Sequence, residues 1–371
     1  LVEIVRSACE DGLRVLAVSH SNQAVDNLLV GDSSETHVDQ SSIHGLVSST
    51  EITAARVGRN SSNNLVEEEY VGNDLYQSDV VCATMSGAHR FGEDIFDLAV
   101  IDEATQASIP ASLIPVTRAK RVVLAGDHKQ LPPYSSGEHS DDEEMSLSLF
   151  DHLVERYGSE VLSTLKTQYR MNEEIAAFPN EAFYNGELEH GSQNRDWSIM
   201  PLAPFEAIHV VGDENQAPSN SYYNEAEAKV VAREVETLLD AGVAPSDIGI
   251  ITPYSGQIGK IRVEVSALSG LDTSPVKIST VDAFQGSERE AIIVSFVRSN
   301  PQGFSGFLTF PNEGPRRLNV SLTRARKRCV LVGNFDTLRR RAPTKDPDES
   351  SADVYQDLYE YLTTRDLLSE A

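Results

Sequence analysis

Two adjacent carboxylates, Asp102 and Glu103, follow the apolar run Leu98-Ala99-Val100-Ile101, and so stand where a buried strand would end. Neighbouring acids at a strand end can divide one task. Asp102 can hold Mg2+, usually through water, while Glu103 polarises a water that attacks a phosphoryl group. The same pair also fits a plain helix N-cap. A second string, Val122-Val123-Leu124-Ala125-Gly126-Asp127-His128-Lys129-Gln130-Leu131-Pro132-Pro133, ends another apolar run in a Gly-Asp turn. Gly126 would let the backbone turn tightly, and Gln130 can sense a terminal phosphate without adding charge. Arg170, in Gln168-Tyr169-Arg170-Met171, and Arg324, in Leu318-Asn319-Val320-Ser321-Leu322-Thr323-Arg324, lie in the second half of the chain. Guanidinium groups supplied from a second domain neutralise charge on a transferring phosphoryl group, the arginine-finger arrangement. The island Arg316, Arg317, Arg324, Arg326, Lys327 and Arg328 stands out in an acidic chain, although a basic surface patch has the same composition.

These residues need strands to hold them. Short β-branched runs alternate with amphipathic segments, the pattern of parallel strands covered by helices on both faces. Strands are expected at Arg14–Ser19, Asp79–Thr84, Leu98–Asp102 and Arg121–Gly126, then at Ala207–Val211, Ile248–Thr252, Ala291–Phe296 and Cys329–Gly333. Helices are expected at Leu147–Tyr157, Asn224–Ala241 and Gly256–Ala267, with a terminal one at Val354–Leu368. In open α/β sheets ligands collect outside the carboxyl ends of strands, where Asp102 and Gly126 fall. The reading is two tandem α/β domains with parallel sheets, residues 1–158 and 159–340, followed by a charged linker and helix over 341–371. The stretch 31–76 turns polar and reads as an insertion, and 135–144 as an exposed loop.

With 371 residues and 40% hydrophobic content the chain has enough apolar surface for two cores. Its net charge of −26 argues by itself against a polyanionic partner. That conflict eases if the acid is a solvated coat, as in the runs 138–144 and 346–353, and only eight of the basic residues are lysines. An acid-rich, lysine-poor surface suggests adaptation to high salt, with an ordinary acidic enzyme as the alternative. Cys9, Cys82 and Cys329 are scattered with no CxxC spacing, which implies neither disulfide framework nor zinc site and fits a cytoplasmic protein. No apolar run approaches the length of a membrane span.

Together the strings resemble superfamily 1 helicases of the DEAxQ type, the group containing the nonsense-mediated-decay helicase and its DNA-acting relatives. Six segments match in order: Ser21 to Asp26, Asp102 to Gln106, Gly126 to Leu131, Gln168 to Met171, Ser279 to Glu288, and Asn319 to Arg326. The resemblance implies two RecA-like domains binding ATP and Mg2+, and a monomer moving on single-stranded DNA or RNA from 5′ toward 3′. It matches Arg170 and Arg324 to arginines on the γ-phosphate, Gln130 to a phosphate sensor, and Tyr169 to an aromatic stacked on the base. Glu288, beside Gly286, matches an acid on the ribose. Ser21, Asn22, Thr252, Tyr254 and Thr280 match positions near the nucleic-acid backbone, where hydroxyls and amides bind phosphate releasably. Read alone, Ser21 and Asn22 could cap a helix, Thr280 could end a strand, and Tyr254 could be packed.

One departure is large. The family's Gly-x-x-x-x-Gly-Lys-Ser/Thr loop does not occur in the sequence. In the family that loop leads into a helix of which Leu1 to Ala8 resembles the tail, so the expectation is a fragment that begins just after it. His20 also replaces the family's usual proline. A nucleic-acid-binding scaffold with an inactive ATPase is the competing reading, and the absence of GxGxxG disfavours a dinucleotide oxidoreductase.

Overall fold

The computed structural model describes residues 1–371 apart from 32, 35–36, 59–60, 62, 134–146, 269, 271, 311–312 and 341–352. The acidic runs at 138–144 and 346–352 and the expected loop at 135–144 lie outside the described residues. The chain divides into two compact units, Leu1–Ser163 and Thr164–Ala371.

In the first unit, five parallel strands run in the order β2-β3-β1-β4-β5. They are β1 (Val15–Ser19), β2 (Ala54–Arg56), β3 (Val80–Thr84), β4 (Leu98–Ile101) and β5 (Val122–Leu124). β1 is buried throughout, and its alternate residues feed two cores. Val15 and Ala17 pack with Val25, Leu29 and Val80 on one face, and Leu16 and Val18 with Phe96, Ala99 and Ile101 on the other. This two-sided burial produces the unbroken apolar runs of the sequence.

The polar stretch 31–76 is not a mere insertion. It carries a helix Ile43–Ser49, the edge strand β2 and a helix Asn64–Glu69. A three-residue strand offers no readable alternation. Its Arg56 also looks polar in sequence, but is 4% exposed and neutralised by Asp26 at 2.9 Å.

The second unit has a six-stranded parallel sheet in the order β12-β11-β13-β14-β8-β15. Its strands are β8 (Phe205–His209), β11 (Ile248–Thr252), β12 (Lys277–Thr280), β13 (Arg289–Ser295), β14 (Ala325–Gly333) and β15 (Leu368–Glu370). Two short pairs flank it: β6 (Thr167–Gln168) with β7 (Glu189–His190), and the antiparallel β9 (Glu214–Gln216) with β10 (Tyr222–Asn224). The helix Glu225–Asp240 presents Ala228, Val231, Val235 and Leu238 at helical spacing to Ile250, Ile293 and Val330 of the sheet.

β14 begins at Ala325, four residues before the apolar run, because acids neutralise its charged first half. The terminal helix is also shorter than its pattern suggested: Asp353–Thr364 packs Tyr355, Leu358 and Leu362 inward, and the chain then adds β15 beside β8. The tail is thus part of the second unit, not a separate segment. Cys82 and Cys329 are buried and all three cysteines are free. Among the described residues no helix is long and apolar enough to cross a membrane.

Candidate nucleotide and nucleic-acid sites

In the first unit, Asp102 directly follows β4, its N–H donating to Val18 O at 2.8 Å. Glu103 then adopts a left-handed backbone, φ 51°, a conformation unusual outside glycine and Asn/Asp. That turn brings Glu103 N–H to Asp102 Oδ1 at 3.0 Å, while Gln106 Nε2 donates to Glu103 Oε2 at 2.6 Å. The pair therefore sits in a strained turn with one acid steadied by an amide, rather than in a simple N-cap. Burial, reinforced by the Glu103 charge, pushes the Asp102 carboxyl up to about 6. Among the described residues no Lys or Arg pairs with either acid, and no cluster of three metal-ligating side chains occurs. The Asp102 carboxylate is a hard oxygen donor of the kind that suits Mg2+, which takes one or two carboxylates and fills its shell with water and phosphate oxygens.

The string after β5 lies against this turn. Ala104 N–H donates to Ala125 O at 2.8 Å, and a Cβ on Gly126 would stand 3.0 Å from both the Thr105 nitrogen and Cγ2. A side chain at Gly126 would therefore crowd the Thr105 backbone, and no left-handed turn is involved. Gln130 Nε2 donates to Asp127 Oδ2 at 2.9 Å, and Lys129 N–H to Asp127 Oδ1 at 2.9 Å, so Asp127 organises the segment.

At the carboxyl end of β1, Ser21 accepts from Ala24 N–H at 3.2 Å and caps the helix Asn22–Val30. Asn22 Oδ1 accepts from Arg56 Nη2 at 2.9 Å. Ser21 thus takes the capping place that reading it alone allowed, whereas Asn22 is the first residue of the helix and pairs with Arg56, 34 positions along the chain.

In the second unit three distant strings converge. Arg170 Nε meets Glu288 Oε2 at 2.6 Å, and its Nη1 reaches Thr323 O at 3.5 Å. Arg324 is 2% exposed, with Nε donating to Val320 O at 3.2 Å. Arg289 N–H donates to Arg324 O at 3.1 Å, which ties β13 to the start of β14. Gly286 has φ 72°, so the turn before Glu288 uses its glycine for conformation. Tyr169 is 60% exposed, and its ring passes so close to Gly191 that a Cβ there would fall 2.4 Å from Tyr169 Cδ1.

Gln168, to which sequence reading gave no role, accepts from both Arg170 N–H and Met171 N–H through Oε1, at 2.9 and 2.8 Å. It shapes the loop that carries Arg170. An amide two residues before an arginine was the available signal.

The basic island does not persist as a patch. Arg326 pairs with Glu290 at 3.0 Å and stacks 4.8 Å over Trp197, Lys327 also meets Glu290, and Arg317 meets Glu313 at 2.7 Å. Arg328 is buried against Glu206 and Glu234. The register of β13 against β14 shifts opposite these residues, so that Arg326 and Lys327 both reach Glu290 while Arg328 turns to Glu206 and Glu234.

At the carboxyl ends of β11 and β12, Thr252 is fully buried and Thr280 caps the helix Val281–Phe284 by accepting from Ala283 N–H at 3.4 Å. Tyr254 is 5% exposed, packed 4.6 Å from Phe307, its hydroxyl donating to Ser305 O at 3.2 Å and accepting from Arg298. The structure gives Tyr254 an interior place. Arg298, clamped by Glu214 at 3.0 Å, joins it to the β9–β10 hairpin.

Comparison with known proteins adds the family. An AAA domain family matches residues 145–336, and a second AAA domain family matches residues 64–136. The chain is 36% identical over 299 residues to an uncharacterised ATP-dependent helicase of Methanocaldococcus jannaschii, covering 75% of this chain and 42% of that protein. It is 38% identical over 280 residues to the ATP-dependent helicase NAM7 of Saccharomyces cerevisiae, covering 72% and 28%. It is 33% identical over 389 residues to the DNA replication ATP-dependent helicase/nuclease DNA2 of Mus musculus, covering 92% and 34%. The chain belongs to the AAA domain family and, within it, to the superfamily 1 helicases of the NAM7 and DNA2 type. It spans less than half the length of these relatives.

Proposed function

We propose that the intact protein is an ATP-dependent helicase or translocase that couples ATP hydrolysis to 5′-to-3′ movement along single-stranded DNA or RNA, as a cytoplasmic monomer. The observation that carries this reading is the division of chemistry between two α/β units. One holds the Asp102–Glu103 turn, and the other gathers Arg170, Glu288 and Arg324 at the starts of β13 and β14. Carboxylates for a metal ion and a water, and arginines for phosphate charge, are the two kinds of group that phosphoryl transfer uses.

Asp102 is the residue that would hold Mg2+, which when bound neutralises charge between phosphate oxygens. Glu103, steadied by Gln106, orients and polarises the attacking water, and Gln130 reports the terminal phosphate to the segment built on Asp127. Arg170 and Arg324 supply positive charge for the transferring group. Glu288 holds Arg170 in place and is available to a ribose hydroxyl, while exposed Tyr169 offers its ring to the base. Ser21, Asn22 and Thr280 lie at the carboxyl ends of strands and contact the nucleic-acid backbone; buried Thr252 and Tyr254 support that end from the interior.

The test is ATP hydrolysis by the intact protein with and without single-stranded DNA or RNA, beside Glu103→Gln. Strand-stimulated hydrolysis that falls by about 10³-fold or more in the variant supports the motor. No hydrolysis with either nucleic acid refutes it and leaves a nucleic-acid-binding scaffold.

A further inference from the structure

Asn22 and Asp26 stand one turn apart on the helix Asn22–Val30, and Arg56, the last residue of the edge strand β2, meets both. Its guanidinium divides its hydrogens among three acceptors: Nε donates to Asp26 Oδ1 at 2.9 Å, Nη2 to Asn22 Oδ1 at 2.9 Å, and Nη1 to Val57 O. The second Asp26 oxygen accepts from Ser61 Oγ at 2.8 Å. Arg56 and Asp26 are buried, whereas Asn22 is exposed. The chain of bonds therefore starts in the interior and ends at the surface.

The chemistry of these groups fixes which way the Asn22 amide turns. A guanidinium has only donors, so the atom it meets must be the amide oxygen. The amide nitrogen of Asn22 is then left on the other side, where it meets no acceptor among the described residues. A backbone phosphate presents only acceptors, so the nitrogen is the half of the side chain that it can use. Turned over, the amide would set its oxygen against the phosphate oxygens. Arg56 is buried and its charge is balanced by Asp26 at 2.9 Å, which suits it to orient a neighbour rather than to bind an anion itself.

We infer that Arg56, held by Asp26, is a positioning residue for nucleic-acid binding: it fixes the Asn22 amide with its nitrogen toward a backbone phosphate. The inference rests on the placing of Asn22 at the nucleic-acid face proposed above. Lysine cannot take this part, because it keeps the charge beside Asp26 but lacks the planar fork that spans Asp26 and Asn22.

The experiment measures equilibrium binding of fluorescent single-stranded DNA and RNA oligonucleotides to the intact protein at constant ionic strength. Wild type is compared with Arg56→Lys, Asn22→Ala and the double variant, the fold of each being checked by circular dichroism. Each single substitution should weaken binding about tenfold, the loss of one hydrogen bond to a charged group, and the double variant should bind no more weakly than either. Wild-type affinity in Arg56→Lys, or losses that multiply in the double variant, overturn the inference and leave the helicase reading standing. No binding of either oligonucleotide by the wild type overturns both. Asn22→Asp supplies a test that does not depend on the Arg56 variants folding. Its carboxylate still accepts from Arg56 but turns an oxygen to the phosphate, so it should bind more weakly than Asn22→Ala; binding as tight as that variant's, or tighter, overturns the inference.

Discussion

Replacing Glu227 by Gln should make the second unit more stable at alkaline pH while leaving it nearly unchanged at pH 5. Glu227 lies in the first turn of the helix Glu225–Asp240 and is fully buried. Its Oε2 accepts from Ser295 Oγ at 2.7 Å and from Val297 N–H at 2.8 Å, whereas Oε1 has no partner. Burial, with a smaller contribution from the Glu214 charge, pushes its carboxyl up from 4.5 to about 8. The folded protein therefore holds a proton that the unfolded chain releases, so stability is complete below pH 4.5 and falls as pH rises to about 8. That span corresponds to about 5 kcal/mol. Gln keeps the accepting oxygen and places its amide where the protonated carboxyl has its hydroxyl, so it matches the wild type in acid. At about pH 8.5 it should be more stable by about 4 kcal/mol. Trp197, the only tryptophan, lies in this unit and reports its unfolding in urea by fluorescence. A stability difference that is the same at pH 5 and pH 8.5 would refute the reasoning.

Arg56→Met should destabilise the first unit by about 3–5 kcal/mol, because it leaves Asp26 buried and uncompensated; urea unfolding of the variant, compared with Asp26→Asn/Arg56→Met, checks this. Gly191→Ala should displace the Tyr169 ring and raise the KM for ATP about tenfold with kcat little changed, since a stacked aromatic is worth about 1–3 kcal/mol. Unaltered KM would remove Tyr169 from the base site. If the net charge of −26 marks adaptation to salt, fold and ATP hydrolysis persist in molar KCl; circular dichroism and hydrolysis rates that decline as salt rises would sink that reading.

The central strands were legible because they are buried on both faces: β1, β3, β4, β11 and the second half of β14 read as continuous β-branched runs. Edge elements were not. β2 has three residues, including a charged one, and β15 is a short strand appended to a helical pattern. The first half of β14 was hidden by Arg326, Lys327 and Arg328, whose charges make sense only once Glu290, Glu206 and Glu234 are beside them.

The order and chemical type of the strings, from Ser21 to Arg326, were determined by the sequence itself, and with them the family. Only the tertiary structure decided what each side chain touches. It turned Tyr254 inward, paired Arg170 with Glu288 across 118 positions of chain, and dispersed the basic island among separate acids. The physical reason is range: periodicity and turn chemistry act between near neighbours, whereas ion pairing and burial depend on residues that the sheet order alone brings together.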